Sequence, residues 1–158
     1  FPILYSDLWG DYWGYFSFIL KGWEYGRFQP TVGAYLGRVN LVSIFPTFLL
    51  ILGTFFSFKK IFKSEKNFQD IFQIFIFLSS LITFLGYLWF LIKYPEKPSG
   101  DTIKAPYVIQ MFHLMVFMCF DYLNDLKKRK ERLYNVIFFL LLLVYLHNIP
   151  SMVTNYLK

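Results

Sequence analysis

Ile71–Ile92 reads IFQIFIFLSSLITFLGYLWFLI, a stretch with no Asp, Glu, Lys or Arg. A helix needs about 20 mostly apolar residues to cross the hydrocarbon of a bilayer. This stretch has that length, and it lacks the apolar–polar alternation of a barrel strand. Backbone N–H and C=O groups find no water in hydrocarbon, so a helix is the form that satisfies them. Three further blocks share this character. Residues 41–58 (LVSIFPTFLLILGTFFSF) come before it, and residues 105–123 and 134–149 come after. The third block holds Gln110, His113 and Cys119, and the fourth holds His147 and ends before Pro150. The expected fold is all-α: a polytopic membrane protein with about four transmembrane helices in 41–158, preceded by an aromatic segment, 1–40.

Composition agrees with that expectation. Of the 158 residues, 56% are apolar, 23% aromatic and 16% charged, and the mean hydropathy is +0.44. A soluble domain carries about 25% charged residues. Disordered and collagen-like chains are excluded, as are most soluble enzyme folds. A single cysteine, Cys119, rules out a disulfide framework and any multi-cysteine metal site. There is no P-loop, dinucleotide fingerprint, HExxH or nucleophile elbow. No cofactor is evident.

The net charge of +6 is unevenly placed. Lys59, Lys60, Lys63 and Lys66 lie between the first two spans, and Lys127, Lys128, Arg129, Lys130 and Arg132 lie between the last two. The loop 93–104 balances its lysines with Glu96 and Asp101. The positive-inside bias makes the two basic loops cytoplasmic, so both ends of the chain and the loop 94–104 face outward. Read this way, the basic runs are topology signals beside anionic lipid, and no nucleic-acid partner is expected. Asp121 and Asp125, next to the second run, read as solvated ion pairs.

The chain opens FPILYSDLWGDYWGYFSF, with no basic n-region or small-residue cleavage site. With its start placed outside, the economical expectation is a C-terminal piece of a larger polytopic protein, partnered by that protein's remaining helices. Residues 1–40 are too polar to span and too aromatic for an ordinary loop. Trp9, Trp13, Tyr12 and Tyr15 suit the membrane–water boundary, where a ring stays apolar while its N–H or O–H stays wet.

The same residues also suit sugar or headgroup recognition. Aromatic faces stack on pyranose rings, and Asp7 and Asp11 can accept hydroxyl hydrogen bonds. The two aspartates would share a helix face, although Gly10 and Gly14 disfavour a regular helix there. Arg38 stands at the outer mouth of the first span, where it either snorkels or pairs with a phosphate. In the loop 94–107, Asp101 or Thr102 can cap the third span. Lys104 then sits at a helix start, where a cation is disfavoured unless it faces an anion. Asp7, Trp9, Asp11, Trp13, Arg38, Asp101 and Lys104 are therefore expected to line one outer cavity. His113 and Gln110 are intramembrane polar residues with either a structural or a functional role.

Three stretches carry a resemblance: YSDLWGDYWGYF (5–16), GRVN (37–40) and GDTIKAPYVIQMF (100–112). Together the chain resembles the C-terminal half of polytopic GT-C class glycosyltransferases, similar to protein mannosyltransferases. The resemblance implies sugar transfer from a polyprenyl-phosphate donor outside a prokaryotic plasma membrane, with membrane lipid and a lipid-linked sugar as partners. In that class the catalytic acid lies in an early outer loop, so it falls outside this chain, as would any divalent metal of a longer enzyme. Two readings from other classes stay open: a transporter or assembly subunit, and a scaffold whose aromatic segment docks lipid.

Overall fold

A computed structural model describes residues 2–10, 30–94 and 105–156. Among them there is no strand. The helices are α1 (Pro2–Trp9), α2 (Pro30–Val42), α3 (Ile44–Lys60), α4 (Phe68–Lys93), α5 (Ile109–Arg129) and α6 (Glu131–Asn148). A 3-10 turn, Ala105–Tyr107, leads into α5, and a 3-10 segment, Ile149–Tyr156, follows α6. Three helical stretches are long and apolar enough to cross a membrane: Thr31–Lys60, Phe68–Lys93 and Glu131–Met152. The chain is an all-α polytopic protein. Helix α5 has the length for a fourth crossing, but Asp121, Asp125, Lys127, Lys128 and Arg129 occupy its C-terminal part.

The first of these stretches begins at Thr31, well before Leu41, and a turn at Ser43 interrupts it. Pro46 accounts for the interruption: it has no N–H for the Val42 carbonyl, and its ring crowds that carbonyl. At the start of the chain, Gly10 ends α1 with φ +138, a conformation open to glycine.

The chain forms two compact units. The first gathers residues 1–44, 90–107 and 141–158, and the second 45–89 and 108–140. In the first unit, α1 packs on α2 and on the 3-10 turn before α5, and α2 packs on the segment after α6. Helix α2 buries Val32, Leu36, Val39 and Asn40 along one stripe and exposes Ala34, Arg38 and Leu41.

In the second unit, α3 buries Pro46, Leu49, Leu50, Gly53 and Ser57, which recur at the spacing of one helix face. A Cβ on Gly53 would lie 2.4 Å from the Cα of Cys119, so glycine is what lets α3 and α5 cross backbone to backbone. Phe56 meets Tyr122 edge to face at 5.6 Å, so the two helices run parallel. Helix α4 runs antiparallel to α3, with Ser57 facing Gln73 and Lys60 facing Asp70. The face that α4 buries is largely polar (Asp70, Gln73, Ser80, Tyr87), whereas Phe72, Phe75, Ile82, Leu85 and Trp89 point outward. An aqueous protein shows the reverse. Apolar exterior and hydrogen-bonded polar seams are the arrangement of helices packed in lipid.

Candidate functional site

The first unit holds a dense set of polar contacts, nearly all between segments far apart in sequence. Ser6 and Asn40 are both buried, and the Asn40 amide donates to the Ser6 hydroxyl at 2.9 Å. The Tyr5 hydroxyl donates to the Asn40 carbonyl. One oxygen of Asp7 accepts from the backbone N–H of Ala105 at 3.3 Å, across 98 residues. That N–H opens the turn leading into α5, and the following Pro106 has none to offer. Asp7 therefore caps that turn from α1, while Asp101 and Thr102, the residues expected to cap the third span, lie outside the described residues.

A second chain of contacts runs through the C-terminal end of α6. Tyr35 donates its hydroxyl to the His147 carbonyl at 2.7 Å, and the two rings lie 5.7 Å apart. Nδ1 of His147 faces Oδ1 of Asn148 at 2.8 Å, and the Asn148 amide donates to the Ser43 hydroxyl at 2.9 Å. Ser151 donates back to the Asn148 carbonyl. Gly10 lies against Ser151 so closely that a Cβ there would come within 2.6 Å of its hydroxyl oxygen. The set consists of amides, hydroxyls and carbonyls with one imidazole and one carboxylate, and its members satisfy one another across the fold.

Of the seven residues expected to line one cavity, three are described. Asp7 and Trp9 belong to α1, and Arg38 lies exposed on α2, on the face away from Asn40. Asp11, Trp13, Asp101 and Lys104 lie outside the described residues, and with them the pairing of Arg38 with Lys104. His113 is exposed, and its Nδ1 bonds the Ile109 carbonyl of its own helix at 2.8 Å; Gln110 is exposed beside it. Sequence reasoning passed over Ser6, Ser43 and Asn148. A signal was present, since each is a polar residue beside an apolar run.

The second unit holds the charged counterpart. Asp70 is only 5% exposed. It pairs with Lys63 and with Lys60, the latter at 3.6 Å, and accepts a hydrogen bond from the Asn67 N–H. The Asn67 side chain in turn accepts from the Asp70 N–H at 2.8 Å, so the pair closes the start of α4. Lys60 also binds Asp121 at 2.6 Å, which ties α3 to α5. This corrects the expectation for Asp121: it is a half-buried strut between helices, while Asp125 pairs with exposed Arg129 at 2.9 Å. Among the described residues no group of three or more His, Cys, Asp or Glu could hold a metal. Comparison with protein-family models, with curated proteins and with solved structures found no match.

Proposed function

We propose that the chain is part of a membrane glycosyltransferase that moves a sugar from a polyprenyl-phosphate donor on the extracytoplasmic side of a plasma membrane. One observation carries the reading. Residues from three stretches distant in sequence, those behind the resemblance, meet in the first unit: Tyr5, Ser6 and Asp7 of the first bond Asn40 of the second and Ala105 of the third. Residues that recur together for a shared task are expected to be neighbours.

The basic ends of α3 and α5 face the cytoplasm in this reading, and both ends of the chain lie outside. The neutral hydroxyl–amide centre suits sugar hydroxyls. Arg38, solvent-accessible on α2, suits the donor phosphate. Trp9, Trp13, Asp11, Asp101 and Lys104 complete the proposed wall, and the catalytic acid belongs to another part of the enzyme.

The test is transfer from a labelled polyprenyl-phosphate sugar in membranes carrying the complete protein. Arg38→Ala removes an exposed side chain, so the amount of folded protein should not change. Losing a charged phosphate contact should cut transfer roughly tenfold or more. Unchanged turnover in a protein that does transfer sugar removes Arg38 from the site. No transfer by the parent protein overturns the enzymatic reading in favour of a transporter, assembly subunit or scaffold.

A further inference from the structure

The charges at one end of the second unit are sorted in a way that folding does not require. Residues 59–70 and 121–132 hold nine cations and five carboxylates. The contacts between Lys60 and Asp121, and between Phe56 and Tyr122, bring the two segments to the same end of the unit. Three cations, Lys60, Lys63 and Arg129, bind the carboxylates Asp70, Asp121 and Asp125. The other six, Lys59, Lys66, Lys127, Lys128, Lys130 and Arg132, are all exposed. Lys59 and Lys127 lie over the rings of Phe55 and Tyr134, at 4.6 and 5.5 Å from the centroids. Lys66 donates to the Lys63 carbonyl. Among the described residues, Lys128, Lys130 and Arg132 have no carboxylate partner.

The same end also exposes large apolar rings. Phe62 is 74% exposed and Phe68 is 83% exposed, both within or beside the short lysine-bearing loop that joins α3 to α4. A phenylalanine set among lysines is poorly placed in water and well placed in a headgroup layer, where the ring meets acyl chains and the ammonium meets phosphate. Two of the helices that meet here, α3 and α4, lie in membrane-crossing stretches, as does α6, which begins at Glu131. The anions within reach of such a surface are lipid phosphates.

We propose that this end of the second unit is a docking surface selective for anionic phospholipid, with Lys128, Lys130 and Arg132 as phosphate contacts and Phe62 and Phe68 as its apolar seats. The inner layer of charge (Lys60, Lys63, Asp70, Asp121) holds the helices, and the outer layer reads the lipid. The surface does not depend on whether the first unit handles sugar.

The experiment quantifies lipid retained by the intact chain, purified in micelles mixed with equimolar phosphatidylcholine and phosphatidylglycerol. The parent chain should retain phosphatidylglycerol in excess, and K128Q/K130Q/R132Q should lower that excess about tenfold or more at low salt. Raising salt on the unmodified chain gives a reading that needs no variant: the excess should fall steeply as the Debye length shrinks to about 3 Å near 1 M. Phe62→Ser with Phe68→Ser should lower total lipid retained while keeping the preference for phosphatidylglycerol. Three results overturn the assignment: equal retention of both lipids by the parent, an excess that survives both salt and the triple substitution, and full displacement of phosphatidylglycerol by inorganic phosphate or by an RNA oligonucleotide.

Discussion

The two units solve the same problem with different chemistry. Both must hold helices together where apolar side chains gain nothing by leaving lipid for protein. The first unit does so largely with neutral groups, such as Asn40 to Ser6, Tyr35 to the His147 carbonyl and Asn148 to Ser43. The second does so with a backbone crossing at Gly53 and with the ion pairs of Lys60 and Lys63. Neutral hydrogen bonds are individually modest but indifferent to salt. Buried ion pairs contribute little net stability when intact, yet removing one partner strands the other charge. The first unit should therefore lose stability by small, similar steps, and the second by a few large ones.

Gly53→Leu is the change expected to cost most. Its Cβ would fall on the Cys119 backbone, which cannot move aside as a side-chain tip can. A clash with backbone puts the cost at the top of the usual overpacking range, about 3 kcal/mol. Thermal unfolding in detergent should show a large fall or no folded protein at all. Gly86→Ala is the matched control, because nothing lies within 4 Å of a Cβ there. If both variants unfold alike, α3 and α5 do not cross at Gly53.

Asp70→Ala comes next. It leaves Lys60 with Asp121 alone and removes the partner of Lys63 as well as the acceptor for the Asn67 N–H. A loss of about 2–3 kcal/mol is expected, below the full buried-pair figure because the Lys63 side chain is half exposed to solvent. Replacing Lys63 as well should restore part of it. A double variant no better than the single one would mean that Asp70 acts through its cap on α4 and not through charge.

The all-α fold and three of its long apolar helices were legible because hydropathy is a property of each segment alone. The α2 helix was not, since Gly33, Gly37, Arg38 and Asn40 make residues 31–40 too polar to read as part of a span until α1 covers the Asn40 face. Lys60, Lys63 and Asp70 were legible as charge beside a span, which sets orientation. That Asp70 is buried depends on which lysines fold over it, and spacing along the chain does not say so. The candidate site was legible in composition only. Polar residues were expected outside the spans, and the contacts between residues 5–7, Asn40 and Ala105 cross distances that no local pattern encodes.

Asn40→Ala tests the neutral side of the comparison. It deletes the donor to Ser6. It also deletes the buried amide oxygen, which has no partner among the described residues. The lost bond and the removed orphan acceptor offset each other in part, so a net loss of about 1 kcal/mol is expected. The loss should be the same at low and high salt. A salt-dependent loss would couple Asn40 to a charge, Asp7 being the carboxylate at hand, and blur the distinction between the units.

Arg129→Gln should have the smallest effect, and its value lies in being small. Arg129 and Asp125 form an i,i+4 pair at 2.9 Å near the end of α5, but the arginine side chain is 74% exposed. In water each ion is already well solvated, and holding two long side chains together costs rotamer freedom, so such pairs contribute about 0.3–0.5 kcal/mol. A cation in the last turn also meets the negative end of the helix, which adds a few tenths of a kcal/mol at most at an exposed site. The expected loss of unfolding free energy is therefore under about 0.7 kcal/mol at low salt, fading toward zero near 1 M. Set beside Asp70→Ala, this compares an exposed single pair with a buried carboxylate that holds two lysines and the start of α4. If Arg129→Gln were as damaging as Asp70→Ala, exposure would not be what ranks these pairs. The second unit's stability would then rest on net charge at that end, and neutralising Lys128 or Lys130 should do equal harm.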